Sequence, residues 1–441
     1  MTFIDRVEEQ LDRIDERNAS LNALLHVRDR TQILAEARGI EQRIASGTAG
    51  QLAGYTLVVK ANINVCGLPT SCASRTLEGY RATYDADVIE RIRAADGLIL
   101  GIANCDEFAA GSSGTHSAFG PTRNPIDHER ISGGSSSGSA AAVAAGFCDL
   151  ALGTDTGGSV RNPASHCGVV AIKPSYGRVS RHGVIDLSMS LDQVGPIARD
   201  VESALLLLSV ISGYSSNDVT TIDTPVPDIT SETDRRIRFS VLELTGIAID
   251  PEVKAVFERA IRSIESTLEE PLERITIPQI PLGVATYYPI VYTEFYSATR
   301  RFDGRRYGLR IDEQAGEEVQ RRIRAGARIT HSEDEHRFYR RALTVKAELT
   351  TAFEESFTKT DIILSPVVPV VARRLAESVR AEEEYGEDAL TIPANLAGLC
   401  AASIPAGEAY DLPVGIQLSA ARFEEEVLAE GMRRIAAILS R

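Results

Sequence analysis

Two glycine-rich segments carry the serines that could serve as nucleophiles. The first reads SGGSSSGSAAAVAAG over residues 132–146, and the second reads GTDTGGSVRNPASHCG over residues 153–168. In the second segment, Gly157 and Gly158 stand directly before Ser159. Glycines leave backbone N–H groups unshielded beside the hydroxyl, and such donors can stabilise the oxyanion of an acyl-transfer transition state. The triplet GGS alone is weak evidence, because glycine-serine turns are common.

The segment 132–146 admits two other interpretations, a phosphate-binding loop and a flexible linker. A glycine-serine loop that runs into a helix offers hydroxyls and free N–H groups at the positive end of that helix. The phosphate interpretation lacks the GxxxxGK[ST] pattern of a P-loop. The linker interpretation conflicts with the alanine-rich helix predicted over 139–146, which Gly146 would close. Both interpretations therefore fit the segment poorly.

A serine nucleophile needs a base, and no histidine of this chain stands in a recurring hydroxyl motif. Lys60 is the alternative, because it ends the apolar run LAGYTLVVK at 52–60. Burial destabilises an ammonium and lowers its pKa, so a desolvated lysine can act as a general base near neutrality. A lysine at this place can equally extend its ammonium to solvent along its aliphatic stem. Spacing and composition leave both interpretations of Lys60 open.

The composition argues against several classes of function. The chain has 441 residues, 43% of them hydrophobic, and a net charge of −15. So acidic a surface repels phosphate backbones, and we expect no extensive direct binding of nucleic acid. The six cysteines form no CxxC pair, and His331 and His336 have a spacing that does not place both on one helical face. We expect reduced thiols and no metal site.

The N-terminus predicts an amphipathic helix and no targeting segment. Apolar residues recur there at helical spacing: Phe3, Val7, Leu11 and Ile14. The segment lacks the basic start and the apolar run of a signal peptide. No stretch approaches roughly eighteen consecutive apolar residues, so no transmembrane helix is predicted. We expect a cytoplasmic protein without a membrane partner.

Short apolar runs alternate with helical patterns and return near the end of the chain. Strands are predicted at 52–60, 97–104, 149–155, 168–174, 238–244, 361–366 and 412–418, and helices at 85–96, 139–146, 251–269, 283–358 and 423–439. The polar residues 213–236 are the best candidate for a linker. We predict one α/β domain over residues 1–441. Its parts are an N-terminal helical region (about 1–50), a core (about 51–210), a helical insertion (about 245–358) and a C-terminal part (359–441) that rejoins the sheet.

Three motifs together resemble the amidase signature family. They are VVKANI at 58–63, the segment 132–146, and GTDTGGSVRNPASHCGVVAIKP at 153–174. The resemblance implies the fold of that family, an α/β architecture with a central mixed, twisted sheet. Helices would cover both faces of the sheet, and a helical insertion would be added to it.

The resemblance also implies catalytic roles by motif position. Ser159 resembles the nucleophile of the family, Ser135 the bridging serine on a cis peptide bond, and Lys60 the base. Neutral Lys60 would draw a proton from Ser135, which would draw one from Ser159. The oxyanion would be held by the N–H groups around Thr156, Gly157 and Gly158. No cofactor is implied in this chain.

Further segments resemble the A subunits of the glutamyl-tRNA(Gln) and aspartyl-tRNA(Asn) amidotransferases. They are NCDEFAAGSSGTHSAFGPTRNP at 104–125, RRFDGRRYG at 300–308, GEEVQRRI at 316–323, DALTIPANLAG at 388–398 and LPVGIQL at 412–418. The resemblance implies hydrolysis of glutamine, with ammonia passing to a B subunit that uses ATP and Mg²⁺. The B subunit would hold the tRNA, and a C subunit would join the other two. A free-standing amidase that hydrolyses a small amide is the alternative.

Three residues of the expected substrate pocket are uncertain from the sequence. Lys346 stands where those A subunits usually have an arginine for the glutamine α-carboxylate, and a lysine cannot make a two-pronged contact. Either Arg340 or Arg341 shares that task, or the substrate is not glutamine. Asp388 matches the carboxylate for the substrate amine, although it could equally cap a helix or lie in a loop. Tyr307 is a candidate wall of the pocket or a core residue.

Overall fold

A mixed sheet of eleven strands runs through the part of the chain that the computed structural model describes, residues 2–231, 235–269, 271–331, 336–377 and 379–440. The strands are β1 (Leu24–Val27), β2 (Thr56–Lys60), β3 (Leu98–Ala103), β4 (Leu150–Asp155), β5 (Val170–Lys173), β6 (Gln193–Ala198), β7 (Phe239–Leu242), β8 (Glu273–Ile275), β9 (Ile362–Pro366), β10 (Cys400–Ala409) and β11 (Leu412–Ala420). Their order is β1-β3-β2-β4-β6-β5-β10-β11-β9-β7-β8. β2 runs parallel to both of its neighbours, whereas β4, β6, β5, β10, β11 and β9 pair antiparallel in turn.

Helices cover both faces of this sheet, which confirms the predicted α/β fold class. They are α1 (Phe3–Leu21), α2 (Arg30–Ser46), α3 (Asp87–Ala94), α4 (Ser137–Ala144), α5 (Arg161–Cys167), α6 (Val201–Ile211), α7 (Pro251–Leu268), α8 (Gly283–Thr299), α9 (Ile311–Gln314), α10 (Glu317–His331), α11 (Arg337–Phe357), α12 (Ala381–Gly386), α13 (Ile392–Leu396) and α14 (Glu425–Leu439). Among the described residues, no helix combines the length and apolar character needed to cross a membrane.

The residues of β2 alternate between two hydrophobic cores, one on each face of the sheet. Leu57 and Val59 pack into the core that includes α3, α6 and α14, whereas Val58 packs into the core that includes α1, α2 and α4. Successive side chains of a strand point to opposite faces, so Lys60 points to the same face as Val58. That face is covered by α4, which follows the first glycine-rich segment.

The N-terminal helix confirms the amphipathic pattern read from the sequence. Thr2 and Asp5 form a capping box at its start, which satisfies two backbone donors that a helix otherwise leaves free. The apolar positions of its inner face are buried: Phe3, Val7, Leu11 and Ile14.

The helical insertion begins later than the predicted residue 245. α7 packs against β9, β10 and β11, and the strands on either side of it in the chain, β7 and β8, pair in parallel. β7, α7 and β8 therefore form a crossover unit of the sheet, because parallel neighbours need such a connection. The separate helical core contains α8, α10 and α11, and the first of these helices begins at Gly283.

The polar segment 213–236 lies between α6 and β7, where a linker was predicted. Its residues 213–231 form no regular helix or strand, and residues 232–234 lie outside the described part of the chain. The segment joins two strands of the same sheet, β6 through α6 to β7, so it does not separate two sheets.

Candidate active site

Lys60 ends β2 beneath the first glycine-rich loop and is fully buried. Its Nζ donates to the Ser135 hydroxyl (2.8 Å), the Thr154 hydroxyl (2.8 Å) and the Thr154 carbonyl (3.3 Å). Burial lowers the pKa of Lys60 to about 8, although the nearby carboxylates act in the opposite direction: Asp106, Asp192 and Asp155. The interpretation of Lys60 as a solvent-directed lysine is therefore wrong, and its amine can be neutral near physiological pH.

Ser135 lies in the loop before α4, and the peptide bond between Gly134 and Ser135 is cis. The N–H of Asp106 donates to the Ser135 carbonyl (3.1 Å). A Cβ at Gly134 would stand 2.1 Å from Oδ2 of Asp106, so only glycine fits beside that carboxylate. The hydroxyl of Ser136 joins the same loop to β4 through the Thr154 carbonyl (3.1 Å). The loop is thereby fixed over the lysine.

Ser159 follows the second glycine-rich segment and is 7% exposed. The N–H of Ser136 donates to the Ser159 carbonyl (3.1 Å), which holds the two serine-bearing loops together. Among the described residues the Ser159 hydroxyl has no hydrogen-bond partner, so the structure shows the Lys60–Ser135 contact of the predicted relay and leaves the Ser135–Ser159 contact open. Catalytic hydrogen bonds are often long without substrate and shorten in the reactive complex.

Two glycines allow the backbone before Ser159 to approach its neighbours closely. A Cβ at Gly157 would stand 2.7 Å from the ring of Tyr287, and one at Gly158 would stand 2.3 Å from the Thr391 hydroxyl. Gly158 also has φ +141°, a conformation that side chains disfavour. Both positions therefore require glycine for geometric reasons.

The structure corrects one member of the predicted oxyanion hole. The N–H of Gly158 donates to Asp155 Oδ1 (2.8 Å), so this donor is already engaged. Within the described residues, the N–H groups of Thr156, Gly157 and Ser159 have no protein acceptor. The donors available to an oxyanion are therefore those three, and Gly158 contributes its conformation. The sequence could not show which N–H of the loop is consumed internally.

Asp155 and Arg161 form a buried ion pair under this loop, a contact not predicted from the sequence. Both side chains are fully buried, and Nε of Arg161 lies 3.0 Å from Oδ2 of Asp155. Asn395 also donates to Asp155 (2.8 Å). Burial acts to raise the pKa of Asp155, but the guanidinium outweighs it and holds the pKa at about 2. The two residues stand six apart within the motif, which is the signal that could have revealed them.

Asp388 lies next to the nucleophile loop, as expected for a substrate-binding carboxylate. Nδ2 of Asn162 donates to its Oδ1 (3.0 Å), and a Cβ at Gly158 would stand 3.2 Å from the same oxygen. The cap of the nearby helix α13 is Thr391, so the interpretation of Asp388 as the N-cap is wrong. Burial raises the pKa of Asp388 well above its usual range. A cationic group beside it would favour the ionised carboxylate.

Lys346 lies on α11 and is half-buried. Burial lowers its pKa, Glu294 opposes that effect, and Arg422 reinforces it. No carboxylate of the described residues lies within ion-pair distance of Lys346. Arg340 and Arg341 are exposed at the start of the same helix. A half-buried cation is therefore present where an arginine was expected.

Tyr307 is not a core residue, and its role as a wall of the pocket stays a prediction. It is 52% exposed in the loop between α8 and α9. The ring of Tyr287 on α8, which is 4% exposed, lies against the nucleophile loop at Gly157. The loop segment containing Tyr307 is short and rich in arginine and glycine, and no periodicity in the sequence indicates which aromatic side chain turns inward.

Comparisons with known proteins relate the chain to amide-processing enzymes. A family model described as Amidase matches residues 5–429. The chain is 46% identical to the A subunit of the glutamyl-tRNA(Gln) amidotransferase of Methanocaldococcus jannaschii, with 98% of each chain covered. It is 47% identical to that of Methanothermobacter thermautotrophicus, over 99% of this chain and 96% of the relative. The solved structure of the corresponding A subunit from Thermotoga maritima has a TM-score of 0.83 and 37% identity, over 99% of this chain and 94% of that one.

Proposed function

The chain belongs to the amidase signature family, and on that premise we propose that it is the glutamine-hydrolysing subunit of a tRNA-dependent amidotransferase. The observation that carries the proposal is the buried contact between Lys60 and Ser135 (2.8 Å) in a chain so similar to amidotransferase A subunits. The alternative, a free-standing amidase, would use the same serines and lysine. Identity of 46% over 98% of the chain to a named A subunit favours the amidotransferase.

In the proposed acylation step, Lys60 acts as the general base through Ser135. Neutral Nζ takes the proton of the Ser135 hydroxyl, which takes the proton of Ser159 as Ser159 attacks the side-chain amide of glutamine. The tetrahedral oxyanion is stabilised by the free N–H groups of the 156–159 loop. Reversal of the proton relay protonates the leaving nitrogen, so ammonia departs and a glutamyl ester remains on Ser159. Water then hydrolyses this ester by the same relay and releases glutamate.

The proposed glutamine pocket uses one carboxylate and one ammonium. Asp388 would bind the α-amino group, because it lies beside the nucleophile loop and gains a counter-ion from the substrate. Lys346 would attract the α-carboxylate as a point charge, without the paired hydrogen bonds of a guanidinium.

The proposed partners are the B and C subunits of the same amidotransferase. The relatives are named as the A subunit of an amidotransferase for glutamyl-tRNA(Gln), which supports a multi-subunit complex. The tRNA would be bound mainly by the B subunit, because the net charge of this chain is −15. ATP and Mg²⁺ would serve the B subunit, and we propose no cofactor for this chain. A role in protein synthesis supports a cytoplasmic location for the proposed complex.

Ammonia release from glutamine tests the proposal. The enzyme is purified from its own cells with any partners attached, and it is assayed with and without ATP and glutamyl-tRNA(Gln). Strong stimulation by the two together is the expected result for a channelled amidotransferase. Equal rates without them would identify a free-standing amidase, and so would hydrolysis of another amide in place of glutamine. A Ser159→Ala complex is the matched control for contaminating glutaminase.

A further inference from the structure

A turn at residues 187–192 contacts the nucleophile loop through the carboxylate of Asp192. Oδ2 of Asp192 accepts the N–H groups of Leu187 (2.8 Å) and Ser188 (3.0 Å), which closes the turn. Oδ1 accepts the hydroxyl of Thr156 (2.6 Å). Asp192 is 3% exposed, and Thr156 is also buried. One buried carboxylate therefore joins the turn to the residue that begins the oxyanion loop.

A second buried carboxylate holds the other side of the same turn. Glu294 of α8 accepts the hydroxyl of Ser188 (2.6 Å) and both the N–H (3.0 Å) and the hydroxyl (2.6 Å) of Ser190. It also accepts the hydroxyl of Tyr339 on α11 (3.2 Å). The turn is thus fixed between the insertion helices and the nucleophile loop, and Ser188 contacts both carboxylates.

We propose that Asp192 is a positioning residue for the oxyanion loop 156–159, and that Glu294 supports it through the turn 187–192. Neither carboxylate touches the reacting atoms. Asp192 acts by holding the Thr156 side chain, and this fixes the direction of the neighbouring N–H donors. The inference rests on the proposed hydrolysis by Ser159, and it does not depend on glutamine as the donor.

The physical basis is the sensitivity of oxyanion stabilisation to geometry. The donors must face the position of the developing negative charge, and this charge exists only in the transition state. A loop that has lost its support still binds the substrate but stabilises the oxyanion less. The loss therefore falls on kcat, whereas KM stays nearly constant.

Thr156 offers a matched pair of variants for the test. Thr156→Val keeps the shape of the side chain and removes the hydroxyl, whereas Thr156→Ser keeps the hydroxyl. We expect Thr156→Val to lower kcat for ammonia release from glutamine about tenfold, with KM changed less than twofold. Thr156→Ser should retain at least half of the wild-type kcat. Thermal unfolding of both variants controls for loss of the native fold.

A double-mutant cycle tests whether Glu294 acts through the turn. Glu294→Gln keeps the size of the side chain and removes its charge, and we expect kcat to fall about fivefold. In a Thr156→Val background the same change should alter kcat less than twofold, because the connection to the loop is already broken. Glu294 and Thr156 share no hydrogen bond, so additive effects would overturn the proposed support.

The pH profile supplies a readout that a purely structural role would not change. Asp192 is one of the carboxylates that raise the pKa of Lys60, together with Asp106 and Asp155, whereas burial lowers it. Asp192→Asn should therefore shift the acid limb of kcat/KM to lower pH, and Thr156→Val should leave that limb in place. An unshifted limb in Asp192→Asn would contradict the placement of its charge beside the base.

The ratio of kcat in the variant to kcat in the wild type tests the positioning role of Asp192. The rate of the wild type on glutamine tests the proposed function separately. If the wild type hydrolyses asparagine and not glutamine, the same ratios are measured on asparagine. A wild-type kcat in Thr156→Val, or a change confined to KM, would overturn the positioning role. A tenfold loss of kcat with restoration in Thr156→Ser supports it.

Discussion

Two buried lysines, Lys60 and Lys173, end strands β2 and β5 of the same sheet but have different surroundings. Lys60 donates to two hydroxyls, those of Ser135 and Thr154. Lys173 at the end of β5 donates to the Pro174 carbonyl (2.9 Å), the Gln193 side-chain oxygen (3.1 Å) and the Leu399 carbonyl. Burial lowers the pKa of Lys60 to about 8 and, with help from Arg161, that of Lys173 to about 7.

The comparison teaches that a lowered pKa does not identify a catalytic lysine. Ranking by pKa alone would select Lys173, yet none of its three acceptors has a proton to give. Its contacts suit an ammonium, which has three donors and no acceptor. Lys60 meets a hydroxyl whose proton it can accept. The chemistry of the group next to the amine therefore distinguishes Lys60, the proposed base, from Lys173, which joins β5 to β6 and to the residue before β10.

The largest effect is expected from removing either end of the relay. Ser159→Ala and Lys60→Met should each lower kcat for amide hydrolysis by at least about a thousandfold. The serines and the lysine act as one catalytic unit, so removing one of them disables the others. Lys60→Arg should lower kcat by as much, since a guanidinium does not lose its proton in proteins and cannot act as the base. Circular dichroism and thermal unfolding should show an intact fold. Full activity of Ser159→Ala would end the mechanism.

The second largest effect is expected at Lys173, where a substitution should lower stability and leave catalysis intact. Lys173→Met leaves three buried oxygens without their donor, and we expect it to lower the free energy of unfolding by about 3 kcal/mol. The folded fraction should keep its kcat within twofold. Urea unfolding followed by circular dichroism measures the free energy of unfolding. Active-site titration with a serine-reactive phosphonate counts the folded enzyme, so that kcat is calculated per active site. A normal stability with lost activity would exchange the roles of the two lysines.

The third prediction concerns pH and isolates Lys60. With a pKa of about 8, only about one molecule in ten has a neutral Lys60 at pH 7. The base form increases as pH rises, so kcat/KM should increase about tenfold between pH 7 and pH 9. Lys173→Met should show the same acid limb as the wild type. If the acid limb moved in Lys173→Met, the pH dependence of kcat/KM would report the titration of Lys173, and the prediction for Lys60 would be wrong.

The fold class and the loops with the catalytic residues could be predicted because their signals are local. Apolar runs marked β2, β3 and β4, and the glycine-serine motifs marked the loops that follow. β6 and β10 were not predicted. Pro196 and Pro405 lie well inside β6 and β10, where proline argues against a central strand, whereas Pro413 stands near the start of the predicted strand 412–418. Antiparallel partners on both sides hold these strands in the sheet despite the lost donors.

The rest of the site depends on contacts between residues distant in the chain. Asp192 and Glu294 are separated from Thr156 by many residues, and charged side chains of this kind usually lie at the surface. Nor could the sequence show that Asp155 consumes the N–H of Gly158, because this depends on how the loop folds back over its own carboxylate. Periodicity does not contain that information.

The smallest effect concerns Lys346, a third lysine whose proposed role needs only charge. Lys346→Ala should raise KM for glutamine about tenfold and lower kcat less than twofold, because the α-carboxylate is bound equally in the ground state and the transition state. Steady-state kinetics of ammonia release measures both constants.

Lys346→Arg is the control that separates this role from that of Lys60. A permanent positive charge can replace an ammonium that only attracts a carboxylate, so KM should stay within twofold of the wild type or fall below it. The same substitution at Lys60 should abolish activity, because there the proton must leave. If Lys346→Arg and Lys346→Ala raised KM equally, the shape of the side chain would matter and its charge would not. An unchanged KM in Lys346→Ala would remove Lys346 from the pocket and leave Asp388 as the remaining anchor for an amino-acid substrate.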